Sequence, residues 1–305
     1  MTSPFSLIET DVDLERMSFR RVLWGIAPTG APHVGYLAFL LLLKRLESRG
    51  SGITLLLAND HGYLDRGKSA WEDTERRTEE YRNVFEAYGF RALETHAFYR
   101  SPEYFDQLFR YSISLPVQAV VQAGKSTVAC PNEEVTVGEV LYTTTQIIDV
   151  AFLDVDLVLC GMDEADIYRY GLPIVGRDGH ACSHAYLPMC PGLQDVEMHA
   201  SSHPDNKILL TDSRDDVEAK LVASARRAPS AWRRLGHFFR DFVLPLAQAP
   251  DEAEALAEAL EATPANPRTD ATRAVAAAIT HAMSIACNGA IHRTHPPHNP
   301  VNPSS

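Results

Sequence analysis

The stretch that decides the fold lies near the N-terminus and reads Leu23-Trp24-Gly25-Ile26-Ala27-Pro28-Thr29-Gly30-Ala31-Pro32-His33-Val34-Gly35-Tyr36. An apolar strand pattern over residues 22–26 leads into a turn rich in proline and glycine, and an apolar helix pattern begins at Leu37. The N-terminus of a helix presents free backbone N–H groups and the positive end of the helix dipole, which suit a phosphate. Glycine lets the backbone come close to a ligand. The stretch therefore predicts a phosphate-binding turn between a strand and a helix.

The composition of the 305 residues is typical of a soluble globular protein, with 45% hydrophobic and 22% charged residues. No apolar run approaches the roughly 20 residues that span a bilayer, and the N-terminus has no signal-peptide pattern, so we expect a cytoplasmic protein without a membrane partner. The five cysteines show no pairing pattern and are expected to be free thiols. The net charge of −12 disfavours nucleic-acid binding, because an acidic surface repels a phosphate backbone.

Strand and helix patterns alternate through the first two thirds of the chain. This alternation predicts an α/β fold, in which a parallel sheet carries helices on both faces and binds its ligand beyond the carboxyl ends of the strands. The predicted strands cover residues 21–27, 53–58, 92–99 and 156–160, and the predicted helices cover residues 33–47, 70–88, 102–113, 138–153 and 163–172.

From residue 212 the pattern is helical only, over residues 215–226, 230–246, 251–260 and 270–285. We therefore predict a ligand-binding catalytic domain over residues 1–211, a small helical C-terminal module over residues 212–290, and a disordered tail over residues 291–305. The tail holds His292, His295 and His298, for which solvation is expected and metal binding would be fortuitous.

The first motif resembles a signature of class I aminoacyl-tRNA synthetases. His33-Val34-Gly35-Tyr36, in its Pro-Thr-Gly context, is similar to the His-Ile-Gly-His motif of the tyrosyl/tryptophanyl subgroup, with Tyr36 in place of the second histidine. The resemblance implies a Rossmann-like, doubly wound parallel sheet that binds ATP and an amino acid. It implies catalytic roles for His33, Gly35 and Tyr36, and ATP contacts from Gly25, Pro28, Thr29 and Gly30.

The second motif lies on the helix pattern over residues 138–153. Tyr142, Gln146 and Asp149 share one face of this otherwise apolar helix, because their spacing is i, i+4, i+7. From the helix alone, the polar stripe either faces solvent or lines a ligand cavity. Archaeal-type tyrosyl-tRNA synthetases have a similar Tyr-x-x-x-Gln-x-x-Asp helix, which implies that Tyr142 and Gln146 bind the α-amino group and that Asp149 faces the substrate side chain.

The segment Gly161-Met162-Asp163-Glu164 resembles the Gly-Gly-x-Asp-Gln segment of the same family. The resemblance implies that Gly161 and Asp163 lie at the nucleotide, with Asp163 on the ribose. It also implies that Glu164 lies at the amino acid, where a carboxylate would bind the ammonium group more strongly than an amide.

The third motif, Glu197-Met198-His199-Ala200-Ser201, takes the place of the family's Lys-Met-Ser-Lys-Ser signature, and only Met198 and Ser201 match. Met198 is therefore assigned to the nucleotide and Ser201 to catalysis. Both lysines that stabilise the pyrophosphate leaving group are missing, and losing one such donor commonly costs about 10²–10³ in rate. Lys207 or His203 could substitute for them, whereas His199 is interpreted as an ordinary loop histidine.

Two further departures concern the substrate. Leu23 replaces a tyrosine that helps bind the phenol hydroxyl in the tyrosyl enzymes, and Ala27 replaces an acidic residue that holds the α-amino group. His61 matches a position that lines the amino-acid pocket. We therefore expect an amino acid other than tyrosine, with a smaller or a cationic side chain.

The helical segment over residues 115–130 matches the region of the family that forms the dimer and contacts the acceptor stem. It has no charged residue from Pro116 to Gly124, which favours a homodimer and disfavours tRNA. The expected function is ATP-dependent amino-acid activation, with Mg²⁺ held through the phosphates and no dedicated metal ligands. The acyl group would pass to a small amine or a carrier protein in a biosynthetic pathway. The alternatives are a divergent aminoacyl-tRNA synthetase and a non-catalytic amino-acid-binding paralogue.

Overall fold

The strand of the first motif lies at the centre of a six-stranded sheet. A computed structural model describes residues 3–65, 70–127, 134–194, 196–228, 230–261 and 270–288. The order of the strands is β1-β6-β5-β2-β3-β4, and every neighbouring pair is parallel except β1 with β6. The strands are β1 (Glu9–Thr10), β2 (Val22–Ile26), β3 (Ile53–Leu57), β4 (Ala92–Glu94), β5 (Leu157–Gly161) and β6 (Ser183–Leu187).

Strands β3 and β4 lie on one side of β2 in the sheet, and β5 and β6, which come later in the chain, lie on the other side. The order therefore reverses between β2 and β5, where Val22 pairs with Leu157 and Trp24 with Leu159. Ligands of such open sheets bind beyond the carboxyl ends of the strands at the point of reversal. The prediction of an α/β, doubly wound sheet is confirmed, with one short antiparallel strand added at the edge.

Helices cover both faces of the sheet. They are α1 (Leu37–Ser48), α2 (His61–Leu64), α3 (Trp71–Ala87), α4 (Pro102–Ser112), α5 (Val117–Gly124), α6 (Val137–Phe152), α7 (Ala165–Gly176), α8 (Arg214–Arg227), α9 (Ala231–Phe238), α10 (Leu244–Leu246), α11 (Pro250–Glu261) and α12 (Asp270–Asn288).

Alternate side chains of β2 enter two different hydrophobic cores. Trp24 packs on the face of α1 and the C-terminal helices, where its ring stacks on Phe39 with centroids 4.6 Å apart. Leu23 packs on the opposite face, in the core that includes Ile147 of α6 and Tyr168 of α7. This alternation follows from the period of two in a strand, and it places Leu23 beside the polar face of α6.

The structure corrects several predicted bounds. The strand predicted over residues 92–99 ends at Glu94, because the chain turns there into a short 3₁₀ helix, Thr95–Ala97. The Thr95 hydroxyl lies 2.8 Å from Asn59 Oδ1 and 2.9 Å from Asp60 Oδ2, either of which can accept its hydrogen. The helix predicted over residues 230–246 contains one π-helical turn, Phe239–Val243. Strands β1 and β6 were not predicted. The predicted tail over residues 291–305 lies outside the described residues.

The residues after 212 that the structure describes are helical apart from their connections, as expected. Helix α12 packs against α1, so these helices share the core on the Trp24 face of the sheet. Within the described ranges, no helix is both long and apolar enough to cross a membrane. Cys160, Cys182, Cys190 and Cys287 are free thiols, and Cys130 lies outside the description.

Candidate functional site

An open cavity of about 160 Å³ lies at the carboxyl end of β2. Its walls come from the first motif, the start of α7 and the loop of the third motif. The predicted catalytic and nucleotide-binding residues that line it are Gly25, Thr29, His33, Gly35, Tyr36, Gly161, Asp163, Met198 and Ser201. Pro28 and Gly30, also assigned to the nucleotide, are buried in the turn and do not line this outer cavity.

His33 caps the start of the helix that follows the turn. Its Nδ1 accepts a hydrogen bond from the N–H of Gly35 (3.2 Å), and the ring is 4% exposed. Burial, reinforced by the nearby positive charge of Lys207, lowers the pKa of His33 to about 3. The imidazole is therefore neutral near pH 7, and since Nδ1 accepts, its proton is on Nε2. Nε2–H is the donor that His33 can offer to a phosphate oxygen.

Two glycines of the first motif have different roles. A Cβ on Gly25 would meet nothing within 4 Å, so it would project into free space at the cavity wall. A Cβ on Gly35 would lie 2.8 Å from Cys190 Cβ and 2.9 Å from the His33 ring. Gly35 is thus required by packing, whereas Gly25 leaves room for a ligand against the backbone.

Tyr36, which replaces the second signature histidine, is held in an aromatic cluster. Its ring is 4.2 Å from that of His33 and 5.6 Å from that of Trp24, between centroids. Its hydroxyl shares a 3.3 Å hydrogen bond with that of Tyr81 on α3. Burial raises the pKa of Tyr36 above its usual value, so the phenol stays protonated near pH 7.

The loop of the third motif packs on the turn of the first. An ideal Cβ on Gly30 would overlap the carbonyl oxygen of Ala200, so only glycine fits there. That same carbonyl accepts a 2.6 Å hydrogen bond from Lys207 Nζ. His199 lies between two carboxylates, with Nδ1 3.6 Å from Asp163 Oδ2 and Nε2 3.6 Å from Glu197 Oε2. These contacts hold the loop at the wall of the outer cavity.

His203, one of the two proposed substitutes for the missing lysines, has a local structural role. Its Nδ1 accepts from the N–H of Asp205 (3.2 Å) and caps the 3₁₀ turn Pro204–Asn206. Lys207, the other, donates from Nζ to the carbonyl of Ala200 within the third motif.

A smaller inner cavity of about 20 Å³ lies next to the outer one. The two share Gly25, Ala27 and Glu164 in their walls. All six residues predicted to bind the substrate line the inner cavity: Leu23, His61, Tyr142, Gln146, Asp149 and Glu164. The polar face of α6 is therefore turned inward, and the alternative of a solvent-facing stripe is wrong.

Gln146 carries an unused acceptor into this cavity. Its Nε2 donates to Glu164 Oε1 (3.0 Å) and to the hydroxyl of Tyr168 (3.3 Å). Its Oε1 is buried and has no hydrogen-bond partner among the described residues. A buried amide oxygen without a partner costs free energy, so a ligand that brings an N–H donor would be stabilised there.

Asp149 is enclosed by neutral donors. The hydroxyls of Tyr99 and Tyr104 donate to its Oδ2 (2.8 Å) and Oδ1 (2.7 Å), respectively. Burial raises the pKa of Asp149 to about 7, although the two hydroxyls act in the opposite direction. Since the Tyr99 hydroxyl donates to Asp149, the oxygen of that hydroxyl accepts a hydrogen bond from His61 Nε2 (2.8 Å). His61 Nε2 is also 3.0 Å from Thr145 Oγ1. Burial lowers the pKa of His61 to about 3, so the imidazole is neutral.

Sequence reasoning missed four residues of the inner site: Tyr99, Tyr104, Thr145 and Tyr168. Tyr99 was placed at the end of a strand and Tyr104 on a helix, with no sign that both reach Asp149. Thr145 and Tyr168 lie on predicted helices, where their positions do not distinguish a residue of the site from a residue of the core. The available signal in the sequence was Asp149 on an otherwise apolar helix, because a carboxylate in apolar surroundings needs hydrogen-bond donors.

Comparison with known proteins decides the family. A sequence model of the family described as tRNA synthetases class I (W and Y) matches residues 17–284. The chain belongs to this family. In the resemblance described above, Tyr36, Glu197 and Ala200 stand where the two signatures have a histidine and two lysines.

Two relatives illustrate the degree of similarity. The chain is 32% identical over 211 residues to the cytoplasmic tyrosine–tRNA ligase of Xenopus tropicalis, a match that covers 66% of this chain and 40% of the relative. It is 32% identical over 209 residues to the tyrosine–tRNA ligase of Natronomonas pharaonis, covering 65% of this chain and 59% of the relative. The match thus spans about half the length of these synthetases.

Solved structures of the family share the fold. Tyrosyl-tRNA synthetase from Archaeoglobus fulgidus, in complex with L-tyrosine, superposes with a TM-score of 0.74 at 22% identity and covers 90% of each chain. Tryptophanyl-tRNA synthetase from Aeropyrum pernix gives a TM-score of 0.65 at 18% identity, over 89% of this chain and 81% of that one. These likenesses support the Rossmann-like architecture of the sheet.

Proposed function

We propose that the protein activates an amino acid with ATP. The substrate carboxylate attacks the α-phosphorus, the bond to the bridging oxygen breaks, and an aminoacyl adenylate and pyrophosphate form. The observation that carries this proposal is the pair of adjacent cavities at the carboxyl end of β2. The inner one presents the unpartnered Oε1 of Gln146, and the outer one presents the neutral imidazole of His33.

The α-ammonium group is held where the two cavities meet. Gln146 Oε1 accepts one of its N–H groups, the carboxylate of Glu164 supplies a charge-assisted partner, and the ring of Tyr142 closes the wall. Glu164 thus compensates for Ala27, which has no polar group. This arrangement directs the substrate carboxylate toward the outer cavity.

The nucleotide lies in the outer cavity, against the free space beside Gly25. His33 donates from Nε2 to a phosphate oxygen, and the carboxylate of Asp163 accepts from the ribose. Mg²⁺ accompanies the phosphates, as this ion commonly binds through phosphate oxygens and few protein groups. Catalysis then consists of positioning the reactants and stabilising the charge that develops on the leaving group.

The substrate side chain is small. The inner cavity of about 20 Å³ has room for little more than one water molecule. Leu23 offers no hydrogen bond to a phenol, and both oxygens of Asp149 already accept from tyrosines. The small volume leaves no room for a long cationic side chain, so the smaller of the two predicted side-chain classes is favoured.

Two acyl acceptors have separate support. The relatives are named as tRNA ligases, which favours tRNA as the acceptor and the cytoplasm as the compartment. The net charge of −12 and the absence of charged residues from Val117 to Gly124 favour the small amine or carrier protein expected from the sequence. A filter-binding measurement with total tRNA at physiological salt distinguishes these two acceptors.

The amino-acid-dependent exchange of labelled pyrophosphate into ATP tests the activation step. We expect exchange with alanine, serine, glycine or cysteine and at least tenfold less with tyrosine. Exchange with tyrosine alone would contradict the small-side-chain proposal but retain the activation step. If no amino acid in a broad panel supports exchange while one of them binds, the protein is the non-catalytic paralogue.

A further inference from the structure

Two side chains in the wall of the inner cavity share one neighbour. Asp149 and His61 both line the cavity, and Asp149 Oδ2 and His61 Nε2 are each 2.8 Å from the hydroxyl of Tyr99. Tyr99 does not line the cavity itself, so its phenol lies directly behind these two residues. A substrate side chain that passed between Asp149 and His61 would meet this phenol.

The phenol of Tyr99 belongs to a packed aromatic cluster. Its ring stacks on that of Tyr104 with centroids 4.5 Å apart, and the ring of Phe98 meets it edge-on at 5.2 Å. Tyr99 is buried in the hydrophobic core that also contains Leu23 and Leu56, and these two leucines line the inner cavity. Protein cores are close-packed, so a ligand can extend into this region only where a side chain gives up its volume.

The segment that carries Tyr99 is fixed to the connection between β3 and α2. The N–H of Tyr99 donates to the carbonyl of Thr95 (2.8 Å), and Thr95 Oγ1 accepts from the N–H of Asp60 (3.2 Å). After Tyr99, Arg100 Nη2 lies 2.9 Å from Asp60 Oδ1. Asp60 directly precedes His61, so these contacts fix the backbone of Tyr99 relative to the cavity wall. Turning the phenol aside would in addition break its hydrogen bonds to the wall residues.

The hydroxyl of Tyr99 has a polar role that is distinct from the volume of its ring. It is a hydrogen-bond partner of both wall residues, and each of them has a second partner. Tyr104 donates to Asp149 Oδ1 (2.7 Å), and Thr145 Oγ1 is 3.0 Å from His61 Nε2. Both wall residues therefore keep a polar partner when the Tyr99 hydroxyl is removed, and the hydroxyl and the ring can be tested separately.

We infer that Tyr99 sets the upper limit on the size of the substrate side chain, because its ring fills the space beyond Asp149 and His61 that an aromatic side chain would need. The inference rests on the proposed function, in which the inner cavity takes the side chain of the amino acid. Removal of a buried ring leaves a cavity where the surrounding core does not collapse, and an apolar cavity in a protein core can bind a small aromatic molecule. Without the Tyr99 ring, the inner site should therefore take an aromatic amino acid that the wild type excludes.

Calorimetric titration of the full chain with amino acids tests this inference without requiring turnover. Glycine, alanine, serine, cysteine, phenylalanine and tyrosine are titrated into the wild type and into the Tyr99→Ala, Tyr99→Phe and Phe98→Ala variants. We expect Tyr99→Ala to bind phenylalanine or tyrosine at least about tenfold more tightly than the wild type does. Its affinity for the small amino acid that the wild type binds should change by less than about threefold.

The other two variants are controls. Tyr99→Phe removes the hydroxyl and keeps the ring, so it should keep the wild-type preference for a small side chain. Phe98→Ala is the matched control, because this ring is also buried and lies in the same segment, but it does not line the cavity and has no polar atom that could bind Asp149 or His61. It should also keep the wild-type preference.

Several results would overturn the inference. A folded Tyr99→Ala chain that still excludes phenylalanine and tyrosine would show that other residues set the limit. The same gain in Phe98→Ala would show that any loosening of the core admits a large side chain, and a gain in Tyr99→Phe would assign the limit to the hydroxyl. Circular dichroism establishes that each variant is folded. If Tyr99→Ala is not, Tyr99→Leu, which keeps more of the buried volume, takes its place with the same outcomes.

The proposed function can fail separately from this inference. If Tyr99→Ala gains affinity for aromatic amino acids but neither it nor the wild type exchanges pyrophosphate with any amino acid, the activation step fails and the inference stands. If the wild type exchanges pyrophosphate but binds aromatic amino acids as tightly as small ones, the inference fails and the activation step stands. If the wild type binds none of these amino acids, with or without ATP, both fail.

Discussion

At the scale of single residues, the most informative group is the carboxyl of Asp149. It is buried, it receives two tyrosine hydroxyls, and no described cation forms an ion pair with it. The positions of Tyr99 and Tyr104 explain why a carboxylate survives in this apolar wall.

The raised pKa of Asp149 predicts a pH-dependent stability. Its pKa is about 7 in the folded protein and about 3.9 in an unfolded chain, so between these values the folded state holds one extra proton. This contribution is complete below about pH 4 and is lost as the pH rises toward 7, by at most about 1.4 kcal/mol per pH unit. The Asp149→Asn variant lacks this slope.

Urea unfolding of both proteins at pH 5 and pH 8 measures this effect. We expect the wild type to lose stability relative to Asp149→Asn between the two pH values. His33 and His61 are common to both proteins, so their titration cancels in the difference. A wild type that gains stability relative to the variant at pH 8 would show that Asp149 is ionised and favourably paired.

At the scale of elements, the contact between Gly30 and the carbonyl of Ala200 joins two signature segments that are far apart in sequence. We expect Gly30→Ala to displace the loop of residues 197–203, because the added methyl group would overlap that carbonyl. The free energy of unfolding should fall by about 1–3 kcal/mol, as in other overpacked sites, and ATP should bind more weakly.

The matched control for this substitution is Gly176→Ala, at the end of α7. A Cβ there would meet nothing within 4 Å, so its unfolding free energy should stay within about 0.5 kcal/mol of the wild type. Both variants are compared by urea unfolding and by ATP titration. Unchanged stability and ATP affinity in Gly30→Ala would mean that the loop is not packed on the turn in solution.

At the scale of the whole molecule, helix α4 and the start of α5 expose an apolar face. Phe105, Phe109 and Ile113 lie one turn apart on or directly after α4, and Val117 begins α5; their exposed fractions are 44%, 69%, 89% and 61%. Contiguous apolar surface of this kind usually marks an interface. The homodimer was predicted at residues 115–130, and the exposed apolar face lies mostly before that segment, on α4, so we expect the interface to include α4.

Light scattering after size-exclusion chromatography checks this location. We expect twice the mass of one chain for the wild type and a single chain for Ile113→Asp. Leu7→Asp, which changes a residue of similar character that is 45% exposed and lies outside this face, should remain a dimer. A monomeric wild type would rule out the homodimer, and a dimeric Ile113→Asp would place the interface elsewhere.

The sequence by itself determined the strand–turn–helix at the first motif and the shared face of Tyr142, Gln146 and Asp149 on α6, but not which way that face points. Both are local features. A run of apolar residues followed by glycine and proline fixes the turn, and a spacing of i, i+4, i+7 puts Tyr142, Gln146 and Asp149 on one face whatever the helix packs against. This is why Tyr142, Gln146 and Asp149 line the same cavity, whereas Leu23, His61 and Glu164 were assigned to it by the resemblance to the family.

Only the tertiary structure decided which groups meet these residues. Tyr99 and Tyr104 reach Asp149, and Arg77 reaches Gly30, through contacts between segments with no shared period. Short strands such as β1 and β6 depend on pairing with each other more than on their own pattern. Such contacts form only in the folded core, because which two distant side chains meet depends on how all the helices and strands pack.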